Sequence, residues 1–164
     1  AFIPDDYIED LMERVRIYKQ LATGNREAVE NIKKQMLDRY GSLPLYATNL
    51  FEFYRMKFDA QDMGIKSLKI SRSRGYAVID AQHQKTLQAC TEIAKKYPAD
   101  YVIQSASLHF RSSEATGEEQ LLTVGNLLKL LQNTLNNLPA NYNQTPNQTP
   151  DQIPAQPISQ QSAE

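Results

Sequence analysis

The side chains able to do chemistry are few and scattered. His83, His109 and Cys90 are the whole set of imidazole and thiol groups. A zinc site takes about four ligands, so this set is too small to build one. Cys90 falls on an apolar helical stripe and reads as a small buried hydrophobe; no local feature pairs it with a histidine as a nucleophile. A phosphate loop needs a second glycine five residues upstream of a Gly-Lys pair. The nearest string here, Gly64-Ile65-Lys66-Ser67, has neither. Asp5, Asp6, Glu9 and Asp10 could hold a divalent ion, but Asp10 also stands where a helix cap belongs, and no glycine shapes an ion-binding loop. Lys66, Lys69, Arg72 and Arg74 form the one basic concentration, followed by Tyr76. They read either as phosphate contacts of a hairpin or as charges protecting an edge strand. Asp38 stands in the last turn of a helix, where a negative charge opposes the macrodipole. It either pairs with Arg39 or Lys34, or it is an exposed acidic contact for a cationic surface.

The elements that must position these groups follow from periodicity. Asp10 caps a first helix with Glu13 as its capping-box partner, and Leu11, Val15, Tyr18 and Ala22 form its stripe. Gly24 and Asn25 separate it from a second helix with Val29, Ile32, Met36 and Tyr40 on one face, ending at Gly41. Pro44 opens a third helix, with Ala47, Leu50, Phe51, Tyr54 and Phe58 facing inward and Gly64 past its end. The period then changes to two. Leu68 and Ile70 lead through Arg72-Ser73-Arg74-Gly75 to Tyr76–Ile79, a β-hairpin. A fourth helix carries Leu87, Cys90, Ala94 and Tyr97 and stops at Pro98. Residues 101–103 and 107–110 are strand candidates. Leu121, Val124, Leu128, Leu131, Leu135 and Leu138 mark a last helix, ended by Pro139. Its stripe has coiled-coil spacing, but six large apolar positions belong in a core of their own domain. Helices grouped ahead of strands predict an α+β fold: an N-terminal three-helix segment, then a small, mainly antiparallel sheet with two further helices.

Composition bounds the rest. The 164 residues carry 18 basic and 19 acidic side chains, a net charge of −1, so bulk positive charge cannot drive nucleic-acid affinity. A hydrophobic fraction of 41% supplies a core. One cysteine cannot form an internal disulfide, in keeping with a reducing cytoplasm. No apolar run approaches the roughly 18 residues of a membrane span. Residues 141–164 hold four of the eight prolines and no Lys or Arg, with an NQTP-NQTP-DQIP repeat. The expected organisation is one globular regulatory domain over 1–140, at net +1, and a disordered Pro/Gln-rich tail over 141–164. A chain that opens at Ala1 directly into structured sequence is expected to be a piece of a longer protein.

Several strings occur together in register. They are Ile3-Pro4-Asp5-Asp6-Tyr7-Ile8, Asp10, Arg14, Tyr18-Lys19, Leu21-Ala22, Leu37-Asp38-Arg39-Tyr40-Gly41 with Leu43-Pro44, and Gly64-Ile65. Over residues 2–65 the chain resembles the C-terminal domain of bacterial transcription-repair coupling factors, the Mfd proteins. Beyond residue 65 the resemblance rests on the order of elements.

The resemblance implies a part of a large ATP-dependent translocase that pushes stalled RNA polymerase along DNA and recruits excision repair through UvrA. The domain itself is expected to be no enzyme and to hold no cofactor; ATP and magnesium belong to the motor domains. It would fold back on the N-terminal UvrB-like module of the same protein, mask UvrA binding and act as an autoinhibitory clamp in the cytoplasm, with no membrane contact. Asp38 carries over from the family's acidic contacts, Arg39 stands beside it, and Gln35 occupies a position that is often Glu. The alternative is a DNA-binding appendage that uses Lys66, Lys69, Arg72 and Arg74.

Overall fold

The computed structural model describes residues 1–112 and 116–139. The expected tail over 141–164 lies outside the described residues. Five helices and four strands follow in the order α1 (Leu11–Thr23), α2 (Arg26–Tyr40), α3 (Leu45–Asp62), β1 (Ile65–Ile70), β2 (Arg74–Ile79), α4 (Gln84–Lys96), β3 (Tyr101–Gln104), β4 (Ser107–Arg111) and α5 (Gly117–Asn137). This is the expected α+β arrangement.

The first three helices enclose one core. Asp10 caps α1 as expected, accepting from the Met12 N–H at 2.8 Å. Glu13 does not close a capping box; its carboxylate turns to arginines. The buried face of α1 also differs from the expected stripe. Ile17 and Leu21 point inward, while Leu11 is 61% exposed. The segment before α1 packs beneath the helices, burying Ile3 and Ile8. In α2 the expected Val29, Ile32 and Met36 are buried, and α3 adds Leu50 and Phe51.

The second core lies between the sheet and three helices. The sheet order is β1-β2-β4-β3, with every neighbouring pair antiparallel. Ala77, Ile79, Leu108 and Phe110 face inward, against the far end of α3 (Met56, Ala60), α4 and α5. Gly75 is buried opposite Phe110, and a Cβ there would run into the Phe110 ring, so only glycine lets that ring lie flat in the core. On α4 the buried residues are Thr86, Ala89, Cys90 and Ile93, a face rotated from the expected one. Leu87 is half-buried and Tyr97 is exposed. On α5 Leu127, Leu128 and Leu131 are fully covered. That helix closes its own domain's core.

Candidate functional site

The turn that carries Asp38 is held from a distance. Gly41 ends α2 with φ +79°, a conformation that only glycine adopts without strain. Its N–H donates to the Leu37 carbonyl at 3.0 Å. The Tyr7 hydroxyl, from the segment ahead of α1, lies 2.9 Å from the Gly41 carbonyl and 3.2 Å from the Met36 carbonyl. The Gly41 carbonyl is among the orphan acceptors of a helix C-terminus. The Tyr7 ring packs 5.8 Å from that of Tyr40, and burial pushes the Tyr7 hydroxyl pKa above its ordinary value. The upstream Tyr7 and the downstream Leu-Asp-Arg-Tyr-Gly string are therefore two halves of one structural unit.

On this unit the three expected interface residues come together at the surface. Gln35 and Asp38 are one turn apart on α2, on the same helical face, and both are exposed. Arg39 reaches the Glu13 carboxylate of α1 at 3.3 Å. Arg16 holds the same carboxylate at 2.7 Å. The hydrogen bond from Arg16, reinforced by the charges of both arginines, keeps the Glu13 carboxyl below its ordinary pKa. Gln35 lines the notch between α1 and α2 beside Glu13, Arg16 and Arg39. Asp38 makes no ion pair or hydrogen bond among the described residues; neither Arg39 nor Lys34 supplies the local partner that the sequence allows. Leu37 beside it is 42% exposed. The surface thus offers an acceptor-only carboxylate, an amide and an apolar side chain on a rigid turn. Tyr7 and Glu13 are the positioning residues that sequence reasoning missed. The carbonyls that Tyr7 reaches and the Arg39 that Glu13 reaches lie 26 to 34 residues along the chain, so no local spacing could show them.

The basic hairpin divides. Lys66 is taken up by Asp80 at 3.2 Å, and the Asp80 carboxyl lies below its ordinary range, first through the Gln82 N–H and then through Lys66. Lys69, Arg72 and Arg74 are exposed and have no ion-pair partner among the described residues. β1 is an outer strand of the sheet, so its lysines also serve the edge-protecting role.

The remaining candidates are Cys90 and the two histidines. Cys90 is fully buried, and burial pushes its thiol up to about 12, so little reactive thiolate exists at neutral pH. His83 sits at the start of α4, against Gly64. His109 stands on a strand beside Tyr76. Among the described residues no group of three His, Cys, Asp or Glu side chains could hold a metal ion. A groove of about 450 Å³ between α3, β1 and α5 is lined mainly by apolar side chains, with Lys57, Gln61, Lys66, Ser67 and Gln120, and by no carboxylate or imidazole. No described helix is long and apolar enough to cross a membrane.

Comparison with known proteins agrees with this architecture. The chain is 36% identical over 76 residues to the transcription-repair-coupling factor of Escherichia coli K12, covering 46% of this chain and 7% of that protein. The Myxococcus xanthus transcription-repair-coupling factor is 31% identical over 75 residues, covering 45% of this chain and 6% of its own length. The chain thus spans less than a tenth of these relatives. A crystal structure of the C-terminal domain of transcription-repair coupling factor superposes with a TM-score of 0.61 at 18% identity, covering 83% of this chain and 89% of that one. That likeness establishes the fold. The family model described as TRCF domain matches residues 1–90, more than half of the 164, and the chain therefore belongs to the TRCF domain family.

Proposed function

We propose that this domain is an autoinhibitory clamp. It packs on the N-terminal UvrB-like module of its own protein and covers the surface that would capture UvrA. The whole protein would be an ATP-dependent DNA translocase acting on stalled RNA polymerase in the cytoplasm, with ATP and magnesium bound in its motor domains and not here. The observation that carries the reading is Asp38: an exposed carboxylate with no partner among the described residues, on a turn that Tyr7 and Gly41 lock in place. Gln35 adds an amide on the same face, and Arg39, anchored by Glu13, fixes the flank.

Energetics favour such a switch. Both partners would sit on one chain, so tethering raises their effective concentration and modest contacts suffice. A small polar interface can also reopen. The clamped and open states would then differ by only a few kcal/mol, within reach of a competing partner.

The test is UvrA capture by the full-length protein. Asp38→Arg sets like charges against the basic patch expected on the UvrB-like module, and capture should rise several-fold, as it should on deleting residues 1–139. The substitution also replaces an acid at a helix C-terminus with a base, a change typically favourable by about 0.3–1 kcal/mol. Unfolding of the domain would therefore not explain a gain. Unchanged capture with Asp38→Arg would refute the clamp contact.

A further inference from the structure

The face of the sheet turned away from the core carries a second surface. Alternation along the strands puts Tyr76 of β2 and His109 of β4 outward, since Gly75, Ala77, Leu108 and Phe110 point in. The register sets Lys69, Tyr76, His109 and Val102 in one row across all four strands. The next row sets Arg74 directly against Arg111. None of the outward side chains belongs to either core, and Val102 is 50% exposed.

Two features of this face point to a polyanion with flat, accessible rings. The first is charge. The four strands contain Lys66, Lys69, Arg74 and Arg111 and no acidic residue at all, in a protein of net charge −1. Arg72 lies in the turn between β1 and β2. Like charges directly opposite on paired strands are destabilising, and Arg74 and Arg111 have no ion-pair partner among the described residues. An anion lying across the two strands would remove that repulsion. The second feature is the ring pair. Tyr76 and His109 lie side by side, centroids 5.7 Å apart and planes at 31°. Both are half-buried in the middle of the sheet, so their positions are fixed by neighbours. Aromatic rings flanked by cations form the usual platform for unpaired bases, whereas a duplex presents phosphates but keeps its base faces stacked.

We propose that this open sheet face binds single-stranded DNA, with bases stacking on Tyr76 and His109 and phosphates held by Lys69, Arg72, Arg74 and Arg111. Lys66, committed to Asp80, takes no part. The surface is separate from the Asp38 turn, so it stands or falls independently of the clamp.

The experiment is fluorescence anisotropy of a labelled oligo-dT 20-mer titrated with the 164-residue chain, across a salt series. The chain should bind at low salt and weaken steeply as salt rises. Tyr76→Leu preserves an apolar strand residue but removes the ring, and should weaken binding about tenfold; Tyr76→Phe should keep it. The pair Arg74→Gln with Arg111→Gln should lower the slope of log affinity against log salt by about 1.4, roughly 0.7 per phosphate contact. Circular dichroism on each variant confirms folding. Equal binding by Tyr76→Leu and the parent chain, tighter binding of duplex DNA or of the matched RNA, equal binding of polyglutamate, or no binding of oligo-dT at low salt would each overturn the proposal.

Discussion

Asp38 and Glu13 show how differently two carboxylates can be used in the same pair of helices. Glu13 holds Arg16 and Arg39 and ties the start of α1 to the end of α2. Asp38 ties nothing among the described residues and is open to a partner. The Glu13 pairing has a pH signature. Its pKa is lowered in the folded state, so its contribution to stability is present at neutral pH and is lost as the pH falls below the ordinary 4.5 and through the lowered value. Urea midpoints should therefore separate Glu13→Gln from the parent chain at pH 7, with the variant less stable. The gap should close as the pH drops into the acid range. Both arginines are substantially exposed, at 47% and 62% for their side chains. The pH 7 difference should accordingly be small and shrink with added salt.

At the scale of elements, α5 shows what sustains a long helix in a small domain. It begins with a capping box in which the Thr116 hydroxyl and the Glu119 carboxylate each accept from the other residue's N–H. The Thr-x-x-Glu pattern of this cap stands ahead of the leucine stripe, which by itself locates only the body of the helix. Thr116→Ala should cost about 1 kcal/mol. Leu131, with no exposed surface, should cost about 2–5 kcal/mol as Leu131→Ala, because the sheet and α4 cannot collapse fully around the cavity. Denaturant unfolding of the two variants checks both figures and their order. The displaced stripes of α1 and α4 have a common reason. Leu11, Met12, Val15, Ile17, Tyr18, Leu21 and Ala22 cover two overlapping faces of α1, and only the position of α2 and α3 selects Ile17 and Leu21. On α4 the small Ala89 and Cys90 are innermost because the sheet and α5 approach closely there, and Leu87 is left at the margin.

Across the whole molecule, α3 joins the two cores. Its first half supplies Leu50 and Phe51 to the helical core, and its second half supplies Met56 and Ala60 to the core under the sheet. Eighteen residues make a rod about 27 Å long, and a helix cannot easily be half-formed at its centre without losing hydrogen bonds on both sides. Arg26 of α2, held by Asp59 and Asp62 at 2.9 and 2.8 Å, fastens the last turn of that rod to the first core. Unfolding should therefore be a single transition. Leu21→Ala in one core and Leu131→Ala in the other should each shift the same midpoint, with circular dichroism and tyrosine emission coincident. Two resolved transitions would show that α3 does not couple the cores. The coupling also matters for the two proposed surfaces: the Asp38 turn rides on the first core and the open sheet face on the second, so each can be altered without moving the other.

Local sequence encodes what short-range physics can carry. Caps, glycine stops, proline starts and the change of period from helix to strand locate the elements, and the register of Leu-Asp-Arg-Tyr-Gly with its upstream partners identifies the family. Tertiary structure alone decided which side chains meet. Tyr7 reaches the end of α2, Arg39 chooses Glu13 over Asp38, and Tyr76 and Arg74 find His109 and Arg111 across a strand boundary. Such pairs are set by how helices and strands pack, through contacts between residues distant in the chain, and a local pattern contains no term for them.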